Sequence, residues 1–153
     1  MIIGMAAKIL SQVEVNYWRS NQHEFNGVSA LKRIFGTDRK YFRGQFFYLS
    51  EAGIDADGYT SNLTWYDARE NHPTRSEYRL YYDSYLPLTK ANAGDTMIIT
   101  LDDRDTVNIY IIAEGTQLSA FLMSQLSRSI DTNYSVFTNP HELTMVQRAI
   151  ENQ

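Results

Sequence analysis

The sequence contains no cysteine. That excludes disulfides, thiol catalysis and cysteine-ligated zinc, and it fits a reducing cytoplasm. Histidine is scarce: His23, His72 and His141 are scattered and lack metal-ligand spacing. Only three prolines and eight glycines occur, and no linker, low-complexity tract or repeat divides the chain. Long apolar runs are absent. The N-terminal one is broken by Gly4 and Lys8, so it reads neither as a membrane span nor as a signal peptide. The expectation is a soluble, cytoplasmic protein without a membrane partner. HExxH, GxSxG, P-loop and GxGxxG patterns are all missing, so enzymatic constellations are few.

What is present suits a folded domain with a substantial core: 153 residues, 43% hydrophobic and 21% charged. Eleven Tyr, seven Phe and two Trp favour strands. Trp18, Phe46, Phe47, Trp65 and Tyr110 read as core aromatics. The net charge is −4, which alone argues against bulk nucleic-acid binding. The charge is unevenly spread, however. Arg19 to Arg43 carries +4, and Leu80 to Ser127 carries −4. A basic surface on an acidic body is compatible with a polyanionic partner.

The periodicity predicts a strand over Ile9 to Trp18, through Val13, Val15 and Tyr17. Ser29 to Phe35 predicts a short helix closed by Gly36. "GQFFYLSE" and "NLTWYDA" predict strands, with a turn at "GIDADG" between them. "GDTMIITLDD" and "DTVNIYIIAEG" predict a hairpin with Asp102 to Asp105 at its tip. Thr116 caps a predicted helix whose Leu118, Phe121, Leu122 and Leu126 follow helical spacing. Asn139, Pro140 and Glu142 mark a last helix, lined by Leu143, Val146 and Ile150, with Glu142 making the capping-box return. About seven strands that do not alternate with helices predict a mostly β barrel or sandwich.

One stretch, "HPTRSEYRLYY" from His72 to Tyr82, reads as a strand with an unusual face. Alternation puts Arg75, Glu77 and Arg79 on one side and Ser76, Tyr78 and Leu80 on the other. Arginine offers two parallel donors to guanine O6 and N7, and glutamate accepts from cytosine N4. An Arg-x-Glu-x-Arg row at about 6.6 Å spacing matches adjacent G and C edges in the major groove. An acidic residue there favours base reading over adhesion to phosphate. The ordinary alternative is a salt-bridge ladder on an exposed strand. Arg19, Lys32, Arg33, Arg39, Lys40 and Arg43 are phosphate-contact candidates by charge. A rival enzymatic reading takes Glu24, Asp38 and Lys40 as a small metal-dependent nuclease site. A second rival is a protein-interaction barrel using its Tyr-rich surface.

Three segments together carry a family resemblance: "WYDARENHPTRSEYRLYY", "NQHEFNGVSALKRIFG" and "DTMIITLDD…DTVNIYIIAEGT". They resemble the N-terminal effector-binding domain of the EcoRII-type restriction endonucleases, over roughly Tyr17 to Leu126. The resemblance implies a B3-like pseudobarrel over residues 1–130, with 131–153 as an extension or linker helix. It implies two arms gripping duplex DNA, one around Arg19 to Asn26 and one from Arg69 to about Tyr82. His23 and Arg69 join Arg75, Glu77 and Arg79 as base readers, and Thr74 joins the phosphate set. The implied target is a short G/C-rich site of the CCWGG kind, bound and not cut. The implied partners are double-stranded DNA and a C-terminal nuclease domain of the same bacterial protein. No cofactor is implied here, Mg²⁺ serving only the nuclease domain. The chain departs from the family at His72-Pro73, where a basic residue is expected; His72 is the candidate to replace its phosphate contact.

Overall fold

The computed structural model describes residues 1–19, 24–27, 29–55, 60–83 and 86–153. Among these, the chain forms β1 (Ile2–Ile9), α1 (Gln12–Arg19), β2 (Glu24–Gly27), α2 (Ser29–Phe35), β3 (Lys40–Ser50), β4 (Gly53–Asp55) and β5 (Thr60–Asp67). Then come β6 (Tyr78–Tyr82), a 3-10 turn (Leu86–Lys90), β7 (Thr96–Asp102), β8 (Thr106–Ile112), α3 (Gln117–Gln125), β9 (Ser135–Phe137) and α4 (Pro140–Glu151). The strands join one curled sheet in the order β2-β6-β5-β3-β8-β7-β1-β9, with β4 paired to β3. All pairings are antiparallel except β3 with β8. This is the mostly β pseudobarrel expected, with nine strands rather than about seven among the described residues.

The stretch predicted as a strand from Ile9 is mostly helix. Val13 is 77% exposed while Val15 and Trp18 are buried, which is helical spacing and not alternation. The start is a capping box: Glu14 N donates to Ser11 Oγ (3.3 Å) and Ser11 N donates to the Glu14 carboxylate (3.0 Å). Leu10 and Val15, before and after the cap, are buried in the same cluster, as a hydrophobic staple requires. The true strand lies upstream, in the apolar N-terminal segment.

Other local signals act as expected. Gly36 takes φ +81° after α2, and its N–H returns to Lys32 O (2.8 Å). At the β7–β8 tip Asp102 Oδ1 accepts from Arg104 N and Thr106 N, both at 2.9 Å, and Asp105 sits at φ 57°. Thr116 caps α3 through Ser119 N (3.2 Å), although Phe121 is exposed rather than packed. Asn139 caps α4, but Glu142 does not return to the cap. Its carboxylate accepts instead from Ser127 N (2.7 Å) and Ser127 Oγ (3.0 Å), fastening α4 to the turn after α3.

Apolar side chains fill both sides of part of the sheet. Inside the curl, Phe46, Leu63, Trp65, Leu80 and Tyr82 meet Trp18 of α1 and Phe35 of α2. On the outside, Met5, Ala7, Ile98, Tyr110 and Ile112 meet Leu118 and Leu122 of α3 and Leu143, Val146 and Ile150 of α4. The segment from residue 131 onward thus supplies β9, paired to β1, and a helix packed on the outer face. Trp18, Phe46, Trp65 and Tyr110 are buried, as expected of core aromatics, and Phe47 stacks on Tyr110 at 4.9 Å. No described helix is long and apolar enough to cross a membrane.

Candidate nucleic-acid interface

Among the described residues, the outer face of β2, β6, β5 and the first half of β3 lies outside the apolar cover that α3 and α4 give the rest. Register fixes which side chains share it. Glu24 faces Tyr81, Tyr81 faces Thr64, Thr64 faces Tyr41, and Arg79 faces Tyr66. Tyr41 is 70% exposed and Tyr81 39% exposed, so this surface is polar, charged and aromatic at once.

Arg79 is its hub. One terminal nitrogen donates to Glu24 (2.8 Å) and the other to Glu77 (2.9 Å). Glu77 also accepts from Arg69 Nε at 2.9 Å, and the Tyr66 hydroxyl lies 3.4 Å from the free oxygen of Glu24. The row therefore alternates Arg69, Glu77, Arg79, Glu24. Hydrogen bonds from Arg69 and Arg79 hold the Glu77 carboxyl below the usual carboxylate range. Bonds from Glu24 and Glu77 hold the Arg79 guanidinium more firmly protonated than usual. Burial, reinforced by the Glu24 charge, raises the Tyr66 phenol.

This row is not the strand face read from the sequence. β6 begins only at Tyr78, because the β5 ladder ends at the Asp67–Tyr78 pair. Before it, the backbone is folded into a loop closed at its neck. Asp67 Oδ1 accepts from Arg69 N (2.9 Å) and Glu77 N (2.7 Å), and Ala68 N donates to Glu77 O (2.7 Å). His72 Nδ1 accepts from Thr74 N (3.2 Å) and Arg75 N (3.0 Å), turning the chain after Pro73. Arg75 and Thr74 are exposed on this loop, and Arg75 does not extend the Glu77–Arg79 row. With Nδ1 accepting, the His72 ring leaves Nε2 as the nitrogen for an outside partner.

The basic candidates cluster in part at the same end. Trp65 Nε1 donates to Gly36 O (3.0 Å) and Tyr78 Oη to Thr37 O (2.9 Å), pinning the segment after α2 beside β5 and β6. Lys32 lies over the Tyr78 ring at 5.1 Å. Arg39 lies over the Tyr66 ring at 5.4 Å, with Glu70 of the loop 3.8 Å away. Lys40 is exposed at the head of β3, Arg43 is exposed on its outer face, and Arg33 is exposed on α2. His23 and the side chain of Arg19 lie outside the described residues, so the stretch expected to form the first arm is described in its side chains only at Glu24 and Phe25.

Glu24 entered the sequence reading only as a nuclease candidate, yet here it is engaged by Arg79 and Tyr66. Among the described residues, no three His, Asp or Glu side chains gather to hold a metal. The partnership of Glu24 with Arg79 was not legible locally, since it depends on the β2–β6 pairing of a four-residue strand. Tyr41 and Tyr81 were also missed. Their outward alternation with Phe42 and Leu80 was the available signal.

No family model matches this sequence, and no curated protein does. Among solved structures, the fold is similar to the N-terminal domain of LlaJI.R1 from Helicobacter pylori. The TM-score is 0.55 at 7% identity, over 88% of this chain and 97% of that one. At such identity the similarity concerns the fold alone.

Proposed function

We propose that this chain is a sequence-specific double-stranded DNA-binding module, the effector domain of an EcoRII-like restriction endonuclease, which binds and does not cut. Its target would be a short G/C-rich site of the CCWGG kind, read in the major groove, and its partner a C-terminal nuclease domain. The observation that carries the reading is the Arg69–Glu77–Arg79–Glu24 row on a sheet face outside the apolar cover of α3 and α4. Its members pair with one another as a ladder of two cations and two anions, so it alternates donors and acceptors with no formal net charge, an arrangement that suits base edges better than phosphates. Arg39 lies over Tyr66 beside it, Lys32 and Lys40 lie at the same end of the sheet, and exposed Arg75, Thr74 and His72 occupy the adjoining loop, where they would meet the backbone or the groove.

The test is duplex binding measured across a salt series. The reading expects log affinity to fall linearly with log salt, by about 0.9 for each phosphate neutralised, and Arg79→Ala to relax the preference among duplexes. A second reading, a protein-interaction barrel, draws on the exposed Tyr41 and Tyr81. Flat or absent duplex binding favours that reading instead.

A further inference from the structure

Arg79 emerges from β6 between β2 and β5, opposite Asn26 on one side and Tyr66 on the other. Its side chain is only 28% exposed, and Nε is buried without a hydrogen-bond partner. The guanidinium is therefore partly desolvated and is steered by its two terminal nitrogens alone. Glu77 holds one from its own strand approach. Glu24, 22% exposed, holds the other from across the sheet at 2.8 Å. The remaining Glu24 oxygen is 3.4 Å from the Tyr66 hydroxyl, so that carboxylate is itself braced from β5. Each terminal nitrogen carries two hydrogens and gives one bond to a carboxylate, so the fork keeps one further donor on each side, and guanine is the base whose edge offers two acceptors to an arginine.

From this geometry we infer that Glu24 is the specificity-determining positioning residue of the interface. It aims the Arg79 fork and cancels its charge, so that Arg79 donates to a base edge and not to phosphate. The inference rests on the DNA-binding reading above. Its physical content is a division of labour. A free arginine on an open face binds any phosphate, because that attraction carries no sequence information. An arginine clamped between two carboxylates gains little from phosphate and keeps only its hydrogen-bonding direction. Glu24 also couples the two parts of the interface, since it lies in the stretch read as the first arm while Arg79 lies in the second.

The experiment compares E24Q with the wild-type chain on two duplexes, one selected from a randomised pool and its scrambled counterpart. Glutamine keeps the shape and an acceptor oxygen but removes the charge. The inference expects tighter binding to the scrambled duplex and a salt slope steeper by about 0.9, one added phosphate contact. It expects the selected-to-scrambled affinity ratio to fall about 5- to 100-fold, the discrimination of one bidentate pair. In an Arg79→Ala background, E24Q is expected to change neither quantity. A role confined to fastening β2 would shift the melting temperature and leave ratio and slope at wild-type values, and that result overturns the inference. If E24Q folds too poorly to assay, E24D replaces it: the shortened carboxylate is expected to lower the ratio with the slope unchanged, and an unchanged ratio overturns the inference. Wild-type protein that prefers no duplex overturns the DNA reading itself. Wild-type discrimination retained in the Glu24 variants overturns the inference alone.

Discussion

Arg79 and Glu24 are joined by a 2.8 Å hydrogen bond across 55 positions of sequence. The bond ties β6 to β2 outside their backbone ladder, on the face where the charged row lies. If this row reads bases, direction matters more than charge. Arg79→Lys keeps the charge but cannot reach both carboxylates or offer a planar fork. The expected outcome is a loss of about 1–3 kcal/mol on the preferred duplex with the salt slope little changed. Competitive fluorescence anisotropy against a scrambled duplex checks it.

Phosphate contacts obey the opposite rule. Lys40 is exposed at the head of β3, paired in register with Trp65. Lys40→Ala is expected to weaken all duplexes alike and to flatten the salt slope by about 1. Isothermal titration at several salt concentrations, with two unrelated duplexes, separates this from a loss of specificity.

Acid should release the Glu77 contacts of the row late. The Glu77 carboxyl is held below its ordinary value chiefly by the hydrogen bond from Arg69, then by that from Arg79. A lowered folded-state pKa means that its stabilising contribution is present above the unfolded value of about 4.3 and is lost as pH falls through the lowered one. An NMR titration of the Glu77 side-chain carboxyl is therefore expected to show a midpoint below the ordinary glutamate range. In Arg69→Ala that midpoint is expected to move up toward the ordinary value.

The last helix belongs to the outer core. Leu143, Val146 and Ile150 are buried with Met5 and Ala7 of β1. Leu143→Ala is expected to cost about 2–5 kcal/mol. Asn139→Ala, which removes only the cap made to His141 N and Glu142 N, is expected to cost about 0.5–2 kcal/mol. Urea unfolding midpoints give both values, and a negligible effect of Leu143→Ala would show that α4 does not stabilise the sheet.

What could be read in the sequence was what short range decides. The β7–β8 hairpin, α2, α3 and α4 each carry their own caps or turn residues, and each forms where expected. α1 was misread because Val13, Val15 and Tyr17 satisfy alternation while Ser11 and Glu14 satisfy a capping box, and only the box is used. β1 was hidden because it is buried almost throughout, so Gly4 and Lys8 looked like interruptions of an apolar run. β2 and β9 are four and three residues long and exist through their partners, β6 and β1. The site divides in the same way. The juxtaposition of Glu77 and Arg79 was legible because they are near neighbours on one approach. Arg75 was placed with them wrongly, because the His72 and Asp67 hydrogen bonds that bend the loop leave no mark in strand periodicity. Glu24 was read without its partner, Arg79, which is a sheet neighbour distant in sequence.

The central claim is that alternating charged side chains on a sheet face outside the cover of α3 and α4 choose among duplex sequences. Selection of bound duplexes from a randomised pool tests it most directly. The account expects a short enriched motif containing G·C pairs, with the enrichment lost in Arg79→Ala. A pool recovered with no motif, or one whose motif survives that substitution unchanged, would contradict it.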